Sequence, residues 1–385
     1  MKCLPQCKLP LANGNILHDW HAEILAIRAF NRWLVDECAD LARQSLDETE
    51  WVRWKQRGRG EEQAEAKSAV YASKEHGHDT GDEGTLYAQE QPFEIRDDVS
   101  IHMYCSEAPC GDASMELTMA EQEDATPWSQ ALPTDGGMLG RGHFDQLGIV
   151  RRKPARPDAP PTLSKSCSDK LAMKQCTSLL STLTSTLVHP GNVYIKTLIL
   201  PESRHVRKAT ERAFSAKGRM AAVAGPNVQA QWQKTGYAFK PFEVKTTSKE
   251  FSFSKRSAPM AVPSNLSALH TPRTQEILIN GVLQGRKQHD PRGASCASRR
   301  SMWRAVLDVA ILAGIPALTQ LLTAESYGHL KSTGRLASRH AVKQNVRNVA
   351  LVGWKQNVAD ETFRLDQGLA TIAMADPALE RVDAR

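Results

Sequence analysis

The sequence predicts an α/β fold, and three segments carry that prediction. Residues 21–44 place Ile24, Ile27, Leu34, Cys38 and Leu41 at helical spacing, with Asp19 a candidate cap. Residues 99–105 alternate Val99, Ile101, Met103 and Cys105 with Ser100, His102 and Tyr104, the period of a half-buried strand. NVYIKTLIL at 192–200 supplies a further strand. Strands and helices alternate along the chain, so a mainly mixed sheet flanked by helices is expected.

The remaining elements follow in order. Residues 45–92 are rich in Glu, Gln, Lys, Gly and Ser without a sustained period, so they read as a mobile insertion. The strand at 99–105 runs into the turn Ala108-Pro109-Cys110-Gly111-Asp112, with a helix starting at Asp112 or Ala113. Residues 119–162 form a polar, Gly/Pro-rich loop ending in RRKPARPDAPPT. A helix is expected from about Ser168, and EILINGVLQ at 276–284 reads as a strand or hairpin turning at Asn280-Gly281. Residues 300–313 and 323–353 read as helices, a helical C-terminal part. No internal repeat is present, and residues 1–385 read as one domain carrying two insertions.

Composition narrows the function. An apolar fraction of 41% supports a sizeable core, and a net charge of +6 with pI near 8.8 favours an anionic partner. The charge is uneven. Residues 201–260 hold twelve Lys/Arg (204, 207, 208, 212, 217, 219, 234, 240, 245, 249, 255, 256) against four acids (202, 211, 243, 250), which suits a basic face for nucleic acid phosphates or a solvated surface. The N-terminal residues lack an apolar signal region, and the most apolar stretch, 306–318, is interrupted by Asp308 and too short to span a bilayer. Eight scattered cysteines suit reduced thiols and metal ligands, in cytosol or nucleus.

The chemistry begins at His21-Ala22-Glu23. Two residues apart on a regular helix point to opposite sides, so these side chains converge only at the helix start. Alone, H-x-E is a weak signal that a satisfied surface histidine beside a glutamate explains better. Zinc deaminases pair it with a later P-C-x-x-C. Here Pro109-Cys110 is present but position 113 is Ala, which leaves Cys167, Cys176 and Cys296 as candidates for a third ligand. Cys167 stands apart because it precedes a helix start, where thiols ionise more easily.

These strings together, LHDWHAEILAIRAFNR, then APCGDAS, then LSKSCSDKLA, resemble the adenosine deaminase (editase) domain, with the closest likeness to its fungal tRNA branch. The resemblance runs through most of the chain, outside 45–92, and implies a cytidine-deaminase-like fold. It implies zinc held by His21, Cys110 and Cys167, an open fourth position for water, and Glu23 as the proton shuttle in adenosine-to-inosine hydrolysis. The implied substrate is tRNA, at the adenosine 3′ of the anticodon. No membrane or DNA partner is expected, and protein partners stay open. The alternatives are a non-catalytic RNA-binding remnant and a deaminase of messenger or double-stranded RNA. Nothing upstream resembles a double-stranded-RNA-binding module. The family domain begins well before the H-x-E helix, so its first helix and strand are expected to be absent here.

Two further expectations concern anions. Lys331, Arg335, Arg339, Lys343 and Arg347 recur every four residues, and no acid occurs from 331 to 359. On one helix they would form a cationic stripe that needs an anion or open water. Related editing deaminases bury inositol hexakisphosphate, and the resemblance implies the same here. The matching positions are Arg28, Lys170, Lys174, Arg299, Tyr327, Lys331, Lys343 and Trp354, with Lys170 linking zinc and phosphates. Family likeness also places substrate loops at 140–160, where Arg151, Arg152, Lys153 and Arg156 would hold RNA phosphates.

Overall fold

The structure, a computed structural model, describes residues 2–55, 91–121, 123, 138–140, 143, 145–153, 159–254, 256–258 and 264–365. Arg156, and most of both proposed insertions, lie outside the described residues.

Helix α1 (Ala22–Gln44) follows the apolar spacing read from the sequence and buries Ile24, Leu34, Cys38 and Leu41. Strands β1 (Val52–Trp54) and β2 (Phe93–Ile95) pair antiparallel across the ends of the first insertion. This corrects the expectation at its margin, because Val52 is fully buried and pairs with Ile95. Strand β3 (Ile101–Tyr104) leads into a 3₁₀ turn (Asp112–Ser114) and helix α2 (Met115–Ala120). Two short strands, β4 (Met138–Leu139) and β5 (Arg151–Arg152), pair parallel. Helix α3 (Cys167–Thr177), strand β6 (Ile195–Pro201), helices α4 (Arg207–Phe214), α5 (Ala221–Ala224) and α6 (Pro226–Trp232), and strand β7 (Glu243–Thr247) follow.

Strands β3, β6 and β7 form a parallel sheet in that order. A separate antiparallel meander joins β8 (Ser267–His270), β9 (Gln275–Ile279) and β10 (Val282–Leu283). Its turn is the expected Asn280-Gly281, both residues at positive φ. A Cβ on Gly281 would lie 2.5 Å from the Leu17 carbonyl, so glycine lets the hairpin press against the N-terminal segment.

The C-terminal part is helical: α7 (Arg299–Leu312), α8 (Pro316–Leu322), α9 (Tyr327–Ser332) and α10 (Ala337–Val349). The expected single helix over 323–353 is broken at Thr333, whose extended backbone separates α9 from a 3₁₀ turn (Gly334–Leu336).

Two apolar clusters hold the layers together. The larger joins Leu34, Leu171, Leu198, Val306 and Val342 between sheet and helices. The smaller joins Trp20, Leu25, Leu278 and Val282. Helix α1 feeds both, so its N-terminus, at His21, is fixed where they meet. Each large apolar side chain so buried contributes about 1.5–3 kcal/mol.

Candidate active site

Three chain segments converge at the start of α1. His21 occupies the residue before the helix, in extended conformation, while Glu23 lies in the first turn. The carboxylate of Asp19 accepts the His21 backbone N–H (3.1 Å) and binds ring Nδ1 (2.7 Å). Asp19 is therefore not the helix cap the sequence suggested, but the group that sets the ring's orientation. With Nδ1 so engaged, Nε2 is the ring nitrogen left for a metal to use, as where a carboxylate orients a metal-binding histidine.

The second segment is the Cys110 loop. Gly111 has φ 101°, and a Cβ there would fall 2.3 Å from the Ser166 Oγ, so only glycine permits this approach to α3. Ser168 stitches the two together. Its backbone N–H donates to the Cys110 carbonyl (3.0 Å), its hydroxyl donates to Pro109 O (2.8 Å), and its Oγ accepts from Ala113 N (3.1 Å). The third segment is the α3 N-terminus, capped by Ser166, whose Oγ accepts from Asp169 N (3.1 Å). As a result Cys167 N–H donates to the Cys110 sulfur (3.3 Å). The P-C-G-D and S-C-S-D-K strings thus supply both thiols and the bonds that bring them together.

The electrostatics suit a metal. The Cys167 thiol hydrogen-bonds Cys110 and outweighs the burial that opposes a thiolate, so Cys110 is pulled down to about 6, with Lys153 and His21 assisting. Glu23 acts electrostatically on both thiols. Burial opposes a charge on His21, but the Asp19 bond and Cys3 raise the ring to about 10. Metal binding would therefore release protons. The donor set of one oriented imidazole and two adjoining thiols fits zinc.

Among the described residues, the one group whose ligand atoms all lie within 4.8 Å of one another is Cys3, Asp19 and His21. It suits a metal less well, because Asp19 is already engaged. Its second oxygen accepts from Lys153 (2.9 Å) and Ser164 (2.7 Å) and pairs with Lys170. Lys153 Nζ also reaches the Cys167 sulfur (3.3 Å). Although burial alone would raise it, Lys153 and Lys170 hold the Asp19 carboxyl well below the usual range. Sequence reading missed this hub. Its only signal was an aspartate two residues before the histidine.

The loop residues expected to meet RNA do otherwise. Arg151, Arg152 and Lys153 are 2%, 6% and 5% exposed. Arg151 spends its guanidinium on the carbonyls of Gly140, His143 and Gln146 (3.2, 3.0 and 2.6 Å), and Lys153 serves Asp19. Buried cations need internal partners, so these side chains build the site and do not face a polyanion outside it.

Behind the site lies a cavity of about 380 Å³. Nine Lys/Arg side chains line it (Arg28, Lys165, Lys170, Lys174, Arg299, Lys331, Arg339, Lys343, Arg347) against two acids, Asp19 and Glu361. Tyr327 and Trp354 line it as well, so all eight residues matched to the inositol phosphate site meet in one place. The cationic stripe is corrected in one respect. Lys331 sits on α9 and Arg335 on the 3₁₀ turn, where the latter donates to Thr186 O (2.8 Å) and leaves the cavity lining. Among the described residues no hydrogen-bond partner faces Lys343 Nζ. Burial, then Arg339 and Lys331, hold this ammonium well below its ordinary value.

An H-x-E at a helix start, facing one cysteine from a strand-end loop and one from a second helix start, is the kind of site that zinc deaminases use. The family model of the adenosine-deaminase (editase) domain matches residues 70–358. The chain is 33% identical to tRNA-specific adenosine deaminase 1 of Schizosaccharomyces pombe over 355 residues, 90% of this chain and 78% of that protein. It is 30% identical to tRNA-specific adenosine deaminase 1 of Saccharomyces cerevisiae, over 53% of this chain and 46% of that protein. Against the Drosophila melanogaster protein of the same name identity is 26%, over 80% and 69%. The chain belongs to the adenosine-deaminase (editase) domain family. Among the described residues no helix is long and apolar enough to cross a membrane.

Proposed function

We propose that this chain converts adenosine to inosine in a tRNA, at the adenosine 3′ of the anticodon, using zinc held by His21, Cys110 and Cys167. The observation that carries the reading is the approach of Cys167 N to the Cys110 sulfur beside the Asp19-oriented His21. The relatives' shared name supplies the substrate class. When bound, the metal lowers the pKa of a water toward neutrality. The protein does the rest. Glu23, in the first turn of α1, would carry two protons in turn, one from the attacking water to the purine ring nitrogen and one from the added hydroxyl to the departing amine, which leaves as ammonia. Lys153 donates to the Cys167 sulfur, and Asp19 holds the imidazole in place through Nδ1. The adenine leaves its stack to reach the site.

The cavity behind the site takes a highly phosphorylated anion, inositol hexakisphosphate by family likeness. Its nine cationic side chains and the unpartnered Lys343 support an anionic occupant. Asp19 connects it to the metal ligands, because Lys170 lines the cavity and pairs with the carboxylate that orients His21. The protein is placed in cytosol or nucleus, where such substrates occur. Incubating purified protein with unmodified tRNA transcripts and mapping inosine by sequencing tests the reading. Inosine at one anticodon-loop position is expected, and its absence with a full zinc complement would leave only an RNA-binding remnant.

A further inference from the structure

Strands β3, β6 and β7 run parallel, so their carboxyl ends share one edge of the sheet, where open α/β sheets bind ligands. Glu107 follows β3, three residues before Cys110. It pairs with Arg204, which follows β6 (2.9 Å), and with Arg256, which follows β7 (2.6 Å). Arg256 also donates to Ser106 O (3.1 Å) and pairs with Glu250 (2.7 Å). Glu250 in turn accepts from Ser203. One carboxylate thus latches the loops after β6 and β7 to the loop that carries Cys110.

The loop after β7 holds two phenyl rings outward. Phe251 is 46% exposed and Phe253 79%, and their rings meet edge to face with centroids 5.6 Å apart. The turn that presents them is internally braced. Ser254 is buried, its N–H donates to Phe251 O (2.9 Å), and its hydroxyl bonds Ser257 (3.0 Å). Lys245 and Lys249 are exposed on the same stretch. Scattered apolar side chains on a surface need no explanation, but a braced aromatic pair fastened to the lip of a site is a different feature.

We propose that Phe251 and Phe253 form a stacking platform for an unpaired base of the RNA substrate, next to the adenosine that enters the site. The inference rests on the reading of this chain as an RNA deaminase. Single-stranded RNA is recognised through bases splayed onto aromatic rings, with cations on the backbone, and any base offers a π-face. Extruding one adenine removes a stacking partner from its neighbours, and the two rings replace it. A braced turn limits the entropy lost on binding.

The test compares full-length protein with Phe253→Ala, Phe251→Ala/Phe253→Ala, Phe253→Leu and Phe253→Trp. Binding to a fluorescein-labelled tRNA transcript is measured by anisotropy, and stacking by quenching of 2-aminopurine placed beside the target adenosine. The double variant is expected to weaken binding and raise KM about tenfold, with kcat kept and quenching lost. Phe253→Trp restores binding and Phe253→Leu does not. Binding by the double variant within about twofold of the parent overturns the platform. So does rescue by Phe253→Leu, or a shift from dimer to monomer in sedimentation, which would mark the rings as a self-association surface. A parent protein that binds no RNA removes the deaminase reading itself, a different failure from a parent that binds while the variants bind equally well.

Discussion

A Cβ on Gly111 would fall 2.3 Å from the Oγ of Ser166. That clearance allows the Cys110 loop to lie against the start of α3. Gly111→Ala meets both this clash and a backbone at φ 101° that is strained for any L side chain. The strain alone costs about 1–3 kcal/mol. We expect the variant to lose stability by at least that amount and to purify with substoichiometric zinc, read by denaturant titration and elemental analysis. Full zinc at parental stability would show that the loop needs no glycine.

Glu23→Gln keeps the shape of the first turn of α1 but cannot carry a proton. Zinc content is expected to stay near one per chain while inosine formation falls by at least about 10². Sequencing of the treated tRNA reads the outcome, and turnover near the parental rate would remove Glu23 from its role.

Arg219 and Asp169 form a buried ion pair at 2.6 Å, at 4% and 0% side-chain exposure. The other Asp169 oxygen accepts from Ser166 Oγ (2.7 Å) and Arg151 N (3.0 Å), so this carboxylate fixes α3 just after Cys167. Arg219→Ala leaves it without its counter-charge, and a loss of about 3–5 kcal/mol is expected. A lowered urea midpoint at unchanged slope would show it.

The cavity lysines make binding of an anion proton-linked. Lys174 is pressed down by burial, then by Arg339, Lys343 and Arg28. Lys343 is pressed down by burial, then by Arg339, Lys331 and Arg347, with Glu361 opposing. Both therefore bind fewer protons in the empty folded protein than unfolded, at pH below the ordinary lysine value of about 10.4. The empty protein should gain stability as pH rises through that window. An anion in the cavity raises both lysines again, so its binding takes up protons. Calorimetry of inositol hexakisphosphate binding in two buffers of different ionisation heat should show that uptake. Lys343→Met should raise the melting temperature of the empty protein and diminish the rise that inositol hexakisphosphate produces.

Short-range pattern made much of this molecule legible. The apolar period of α1, the alternation of β3 and the Asn280-Gly281 turn depend on neighbours in the chain. The proposed metal donors His21, Cys110 and Cys167 were legible only because three strings occurred together. Pattern failed where distant segments decide. Five cations spaced by four residues implied one helix, yet Thr333 breaks it and Arg335 turns to Thr186. A basic run at 151–153 implied an RNA-facing loop, yet Arg151 turns to the carbonyls of Gly140, His143 and Gln146, and Lys153 to Asp19 and Cys167.

What the sequence determined by itself, then, was the inventory: the proposed donors and proton carrier, the excess of cations and the local elements that bear them. Only the tertiary structure decided which cation serves which anion. Burial removes water as a competing partner, so each charged group must be matched in space, and Asp19 is matched to His21, Lys153 and Lys170 from three separate stretches of chain.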